Sequence, residues 1–262
     1  AIYGFLNSIS KILKEESPDY ISIAMDSQKP TFRHDLYGDY KANRKKMPDD
    51  LRLQIPEINK IIEKCKMNLL IKEGYEADDI IATITQSINK EDLKIYIVTG
   101  DKDIMQLVDK NTFVYNPGNK FSGPIIYDNN KVNEKWGVPP SKICDLLSIM
   151  GDGSDNIPGA KGVGPKTACK LIKQFDSVEN VLSRFNEIQN ARIKGLIENQ
   201  ISDIQLSNKL VQLDMNVPIE VDINRMSVND IDFSAISSDL IGFEMPSLLD
   251  SLKINIGGKI LD

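Results

Sequence analysis

The sequence predicts an α/β fold, with a mostly parallel central sheet flanked by helices. Short β-rich apolar runs alternate with segments of helical period over the first 100 residues, and from about residue 140 the pattern becomes almost wholly helical. Ile2, Phe5, Leu6, Ile9, Ile12 and Leu13 open the chain as an amphipathic helix. Tyr20 to Met25 is a strand preceded by Pro18 and stopped by Asp26, Met67 to Ile71 is a second, and Lys94 to Thr99 is a third, stopped by Gly100-Asp101. Leu51, Ile55, Ile58, Ile61 and Ile62 place a helix at about 50 to 65, and Ile80, Ile81, Ile84 and Ile88 another at about 77 to 89. Strand, helix, strand in this order implies parallel crossovers. The helical region is broken by loops at Gly151 to Gly164, Asp176-Ser177 and Asn186-Glu187, and the stretch from 217 to 262, with Pro218, Pro246 and Gly257-Gly258, reads as irregular with short helices.

Composition excludes several chemistries. The chain has 262 residues and a net charge of −6, and its single histidine, His34, offers no second imidazole for a zinc site and leaves a serine triad dependent on one residue. Cys65, Cys144 and Cys169 are far apart and lack C-x-x-C spacing, so they read as reduced, intracellular thiols. No apolar run approaches the roughly 18 to 20 residues that cross a bilayer, and the opening helix lacks the layout of a signal peptide. A soluble intracellular protein is expected.

Four segments carry acids at element boundaries: Asp26; Glu76, Asp78 and Asp79; Asp101 and Asp103; Asp152 and Asp155. In open parallel sheets the working residues gather beyond the carboxyl ends of the strands, where Asp26 and Asp101 fall. Converging carboxylates repel and must be neutralised by protons or cations. Carboxylate oxygens without His or Cys suit Mg²⁺ or Mn²⁺, and two such ions can hold both oxygens of an in-line phosphoryl displacement. Taken singly, each motif reads more readily as a turn or helix cap, and only the four together outweigh that reading; Asp-x-Asp after a strand also fits a phosphatase nucleophile.

Residues 157 to 172 read as a tight turn feeding a helix. Gly162, Val163 and Gly164 form the bend, Pro165 suits the first helical turn, and Lys166 and Thr167 follow. Helix N-terminal amides behind such a turn bind phosphate, although the same turn would also simply join two packed helices. Residues 29 to 52 are basic within an acidic chain: Lys29, Arg33, Lys41, Arg44, Lys45, Lys46 and Arg52, interleaved with Phe32, Tyr37 and Tyr40. Cations on phosphates with rings on bases are the ingredients of single-strand binding; a solvated loop is the plainer reading of the charges alone.

Together Ala24-Met-Asp26, Thr31-Phe-Arg-His34, Asp39-Tyr-Lys-Ala-Asn-Arg44, Gly74-Tyr-Glu-Ala-Asp-Asp79, Thr99-Gly-Asp-Lys-Asp103, Gly151 to Gly159 and Gly162 to Ala168 resemble the 5′-nuclease domain of bacterial-type DNA polymerase I and its flap-endonuclease relatives, in order and spacing along nearly all of residues 1 to 240. The resemblance implies a PIN-like 5′-nuclease fold in one domain over 1–262, with a helical arch at 28–60 and a helix-hairpin-helix at 140–175. It implies a structure-specific 5′→3′ exonuclease and flap endonuclease using two Mg²⁺ ions, with Mn²⁺ as substitute. Asp26, Glu76 and Asp78 would surround the first ion; Asp78, Asp101, Asp103 and Asp155 the second; Asp79 and Asp152 complete the cluster. Lys41 and Arg44 would grip the scissile phosphate, with Arg33, Tyr40, Lys45 and Lys46 along the threaded strand. The Gly162–Thr167 loop would hold duplex DNA, with K⁺ on its carbonyls.

The partners implied are DNA with a 5′ flap, nick or gap, RNA-primer junctions, and a DNA polymerase in cis or in trans; a monomer is expected. Family members begin with an apolar strand ending in Asp, so residues upstream of Ala1 are expected to supply that strand and one more ligand. Two rival readings remain: a catalytically incomplete DNA-junction-binding module, and a metal-dependent ribonuclease of related sheet topology, against which the helix-hairpin-helix argues.

Overall fold

The computed structural model describes residues 1–88, 91–118 and 122–253; Gly257-Gly258 lie outside them. In chain order the elements are α1 (Ile2–Glu15), β1 (Ser22–Ala24), α2 (Phe32–Leu36), α3 (Asp49–Lys64), β2 (Asn68–Leu70), α4 (Ala77–Ser87), β3 (Ile95–Val98), β4 (Thr112–Asn116) and β5 (Ile125–Tyr127). These are followed by α5 (Asn129–Trp136), α6 (Ile143–Met150), α7 (Pro165–Phe175), α8 (Val178–Ser183), α9 (Ala191–Glu198), α10 (Ile201–Val211), α11 (Ser237–Gly242) and α12 (Pro246–Lys253). Two compact units divide the chain: one of residues 1–26, 45–72 and 219–262, the other of 27–44 and 73–218.

In the first unit α1 buries Ile2, Leu6, Ile9 and Leu13 along one stripe, as its spacing predicts. They join Ile58, Ile61 and Ile62 of α3 and Phe233, Ile236 and Leu240 near the C-terminus in one core. β1 and β2 pair in parallel, Ile23 opposite Leu69, and the Met25 N–H extends the ladder to the Leu70 carbonyl at 3.1 Å. The predicted first strand is shorter than its apolar run because Tyr20 leaves the pairing for an isolated bridge to Ser227. Asp26 follows this strand and is exposed.

In the second unit β3 and β4 pair in parallel and β4 and β5 antiparallel. Parallel pairing matches the predicted α/β class; the described strands divide between two sheets, and β4 and β5 were not among the predicted strands. Thr112-Phe-Val-Tyr is β-branched and aromatic, the signal from which β4 was legible. Beyond residue 128 the unit is helical, beginning with α5 ahead of the expected residue 140, and its core runs through Leu146, Leu147 and Ile149 of α6 to Ala168, Leu171 and Ile172 of α7 and Ile204 of α10.

Candidate metal and nucleic-acid site

The acid-bearing loops of the second unit are built by local chemistry. Glu76 is the N-cap of α4 and exchanges hydrogen bonds with the third helical residue: its carboxylate accepts the Asp79 N–H, and the Asp79 carboxylate accepts the Glu76 N–H at 3.1 Å. After β3, the Asp101 N–H donates to Thr99 Oγ1 and the Asp103 N–H to Asp101 Oδ1, both at 3.0 Å. The loop after α6 is closed by a bridge between Asp152 and Ile157. Gly151 and Gly159 stand back to back at its mouth with φ of 70° and 55°, and a Cβ at Gly159 would lie 2.3 Å from the Gly151 nitrogen. Only glycine fits both positions, and the closed loop carries Asp152 and Asp155.

The basic turn 38–44 is fastened to this loop. The Lys41 N–H donates to the Asp155 carbonyl at 2.9 Å, Asn43 Nδ2 to the Gly153 carbonyl at 2.5 Å, and Asn156 Nδ2 to the Asp39 carbonyl at 2.7 Å. Lys41 itself adopts φ 58°, which aims its side chain at the acids. Its Nζ lies 2.6 Å from Glu76 Oε1 and 3.7 Å from Asp155 Oδ2. Arg44 donates through Nε to Asp155 Oδ1 at 2.9 Å and pairs with the same oxygen through its terminal nitrogen. Tyr40 reaches Glu76 Oε2 at 3.1 Å and Asp155 Oδ2 at 3.4 Å through its hydroxyl.

Glu76, Asp101, Asp103, Asp152 and Asp155, from three separate segments, therefore share one neighbourhood. Burial first, then the charges of Asp101, Asp152 and Asp155 against the opposing Lys102, push the Asp103 carboxyl up to about 8. Asp103 Oδ1 is buried without a hydrogen-bond partner, the mark of a carboxylate whose counter-charge is elsewhere. Burial opposes ionisation of Asp152, yet Lys102 at 2.6 Å and the Ser154 hydroxyl and N–H at 2.6 and 3.0 Å outweigh it and hold its carboxyl below the ordinary range. Among the described residues no three His, Cys, Asp or Glu side chains are closed into a metal-holding set. Lysine and arginine partners hold the acids instead. The donors are carboxylate oxygens throughout, which fits hard divalent cations.

Several expected site residues are placed differently. Asp79, expected among the metal acids, is fully buried and saturated: Arg33 donates to both its oxygens at 2.7 and 2.8 Å, and the Asp214 N–H donates at 2.9 Å. It is a structural carboxylate. Arg33, expected on DNA, is 2% exposed, and it also donates to the Leu210 and Gln212 carbonyls at 2.8 and 2.9 Å. Burial works against its charge, but Asp79 and Glu76 raise its pKa above the ordinary arginine value. Tyr40, expected to stack on bases, is 4% exposed, with its hydroxyl among the acids; burial, ahead of Glu76, raises its pKa. Asp78 lies in the first turn of α4 and is half-buried, while Asp26, Lys45 and Lys46 belong to the first unit and are exposed. Tyr40 and Lys102 are the members of the acid nest that sequence reasoning did not assign to it; Lys102 was legible from its place between two acids.

The glycine turn is formed as expected. Gly162 has φ 91°, Gly164 is the N-cap of α7 and Pro165 its first residue. Lys166 is exposed, and the Thr167 N–H closes onto the Gly164 carbonyl at 3.0 Å. Val163 is buried, with its N–H on the Ala160 carbonyl, so its side chain anchors the turn and does not face a ligand. Gln200 clamps the turn from α10's start, accepting the Lys161 N–H at 2.8 Å and donating to the Lys161 carbonyl at 3.2 Å.

An α/β scaffold with an acid nest, a cationic turn against it and a phosphate-type helix start defines a nuclease acting on a nucleic-acid backbone. Comparison with known proteins agrees. Residues 1–137 match the family model of the 5′-3′ exonuclease N-terminal resolvase-like domain, and 138–234 that of the 5′-3′ exonuclease C-terminal SAM fold. The 5′-3′ exonuclease of Aquifex aeolicus is 39% identical over 95% of this chain and 83% of its own. DNA polymerase I of Bacillus subtilis is 38% identical over 86% of this chain, which spans 26% of that polymerase. Among solved structures, the D15 protein of phage T5, co-crystallised with metal ions, has a TM-score of 0.70 at 21% identity, covering 95% of this chain and 92% of its own. The catalytic core of Rad2 in complex with DNA substrate has 0.58 at 16%, covering 96% and 83%. The structural likeness shows the fold. The chain belongs to the 5′-3′ exonuclease family, whose members hydrolyse nucleic acid as 5′→3′ exonucleases and flap endonucleases.

Proposed function

We propose that this chain is a two-metal 5′ nuclease that cuts DNA at 5′ flaps, nicks or gaps and removes RNA primers, with Mg²⁺ as its ion and Mn²⁺ as substitute. One observation carries the reading: Glu76, Asp101, Asp103, Asp152 and Asp155 meet in one nest against Lys41 and Arg44. The D15 flap endonuclease of phage T5 has been crystallised in a complex with DNA and metal ions, and the T5 5′-exonuclease with bound zinc, which supports divalent-ion chemistry without fixing the ion.

In this reading Glu76 and Asp78 serve the first ion, and Asp78, Asp101, Asp103 and Asp155 the second, with Asp152 completing the nest. When bound, such paired ions neutralise charge on the attacking and leaving oxygens of the phosphoryl transfer. The chain's own residues do the rest. Lys41 and Arg44, already aimed into the nest, exchange their carboxylate partners for the non-bridging oxygens of the scissile phosphate. Tyr40 holds Glu76 and Asp155 in place through one hydroxyl. The turn 162–167 takes a duplex phosphate on the α7 amides beside Lys166, with K⁺ on its carbonyls.

Residues 1–262 act as one nuclease domain in this proposal, with 28–60 as the arch and 140–175 as the helix-hairpin-helix. The chain works as a monomer inside the cell, alongside a DNA polymerase in cis or in trans, a partnership that the likeness to DNA polymerase I supports. A 5′-flap duplex incubated with Mg²⁺ tests this. The expected result is metal-dependent release of the flap that Asp101→Asn abolishes while DNA binding survives. Gel-shift affinity with no cleavage under any divalent ion would overturn it.

A further inference from the structure

The loop after β3 reads Asp101-Lys102-Asp103, and the lysine between the two acids does not turn to solvent. Its Nζ crosses to Asp152 Oδ1 at 2.6 Å, in a pair whose side chains are 27% and 8% exposed. That oxygen does not need an ammonium to be satisfied, because the Ser154 hydroxyl and N–H already donate to it. What needs a cation is the nest as a whole: Asp103 Oδ1 is buried with no partner a residue away, and Lys41 and Arg44 are spent on Glu76 and Asp155. Arg33 is pinned by bidentate and carbonyl bonds in a buried slot. Lys102 is instead a compact charge on a flexible stem, a quarter exposed, that can leave for water cheaply.

We propose that Lys102 is a built-in competitor for the divalent cation: its ammonium fills the Asp101–Asp103–Asp152 corner of the metal-free nest and is displaced when the ion enters. Lys102 is thus a positioning residue that acts through Asp152. It offsets the charge of the acids before metal arrives and weakens metal uptake in proportion to the strength of its own pair. This rests on the two-metal reading above. A merely structural lysine would act in the opposite sense, since its loss would loosen the acids and weaken the metal.

The test is Mn²⁺ titration of the metal-free protein, read from the electron paramagnetic resonance of the free ion, for wild type, Lys102→Met and Lys102→Arg. Lys102→Met should bind Mn²⁺ about three- to tenfold tighter, the worth of one partly exposed ion pair, while Lys102→Arg stays within about twofold of wild type. Equal or weaker binding by Lys102→Met overturns the proposal. A second readout uses the unaltered protein labelled with ¹⁵N-lysine: the Lys102 Nζ resonance should move as Mg²⁺ saturates the site. A resonance that stays fixed while Mg²⁺ binds overturns the proposal by itself. Wild type that takes up neither ion removes the two-metal reading along with it.

Discussion

Asp103→Asn should stabilise the metal-free protein, and by an amount that depends on pH. Unfolded, Asp103 loses its proton near 3.8; folded, it holds it to about 8, because it is buried beside Asp101, Asp152 and Asp155 with one oxygen unpartnered. Between those values the folded chain carries one proton more than the unfolded chain, so stability falls as pH rises through the window. At about 1.36 kcal/mol per pKa unit the accumulated cost is about 4 kcal/mol at pH 7 and about 6 kcal/mol above pH 8, against about 1 kcal/mol at pH 4.5. Asparagine has the same shape, cannot ionise, and offers its amide to the neighbouring carboxylates. Urea unfolding in EDTA should therefore place Asp103→Asn above wild type by several kcal/mol at pH 8 and within about 1 kcal/mol at pH 4.5. Saturating Mg²⁺ should reverse the order, because only the acid gains the ion's binding energy. Equal stability of the two proteins across pH 4.5 to 8 would refute the account of the nest as a site of uncompensated charge.

Arg33→Met leaves Asp79 buried without its cation and should cost about 3 to 5 kcal/mol in urea unfolding; an arginine that served only DNA would leave stability unchanged and alter only the salt dependence of binding. Tyr40→Phe removes one hydroxyl shared by Glu76 and Asp155 and should cost about 1 kcal/mol in the same measurement. Lys41→Met and Arg44→Met should each lower the slope of log affinity against log salt by about one for a flap duplex, and unchanged slopes would take both residues off the phosphates. Gly162→Ala must hold φ 91° with its Cβ 3.3 Å from Leu196; it should cost about 1 kcal/mol or more and weaken duplex binding in gel shifts.

Much of this was legible in the sequence because period and punctuation are local properties. The stripe of α1 and the helix start at Pro165 follow from residues within a few positions of each other, and both stand as expected. The strands ran shorter than their apolar runs because pairing is decided by a partner remote in sequence, as when Tyr20 leaves β1 for Ser227. The same limit governed the site. Acids at element boundaries marked the nest, but nothing in Glu76-Ala-Asp-Asp79 says which acids face inward to which cation. That choice was made by Arg33, whose partners lie near 79 and 210, and it moved Asp79 from the metal to the scaffold.

The balance of charge in the nest follows from that division. An arginine committed to Asp79 and two backbone carbonyls is locked, and its cation cannot be lent to a phosphate or yield to an ion. Lys41, Arg44 and Lys102 are held at their charged ends by carboxylates, Lys41 also over the Tyr40 ring at 5.0 Å, with 18%, 48% and 27% of their side chains exposed. None of these three cations is itself fully buried, so each can change partner. The sequence places two of these cations on one turn and the third between two acids, so in the proposed reaction the groups free to move are those assigned to the phosphate and the ion, while the Arg33–Asp79 pair stays fixed. In the proposed reaction the acids need their charge offset before the metal comes, and the cations are released to the substrate afterwards. Exchangeable lysines and arginine with a locked Arg33–Asp79 pair meet both demands with one set of carboxylates.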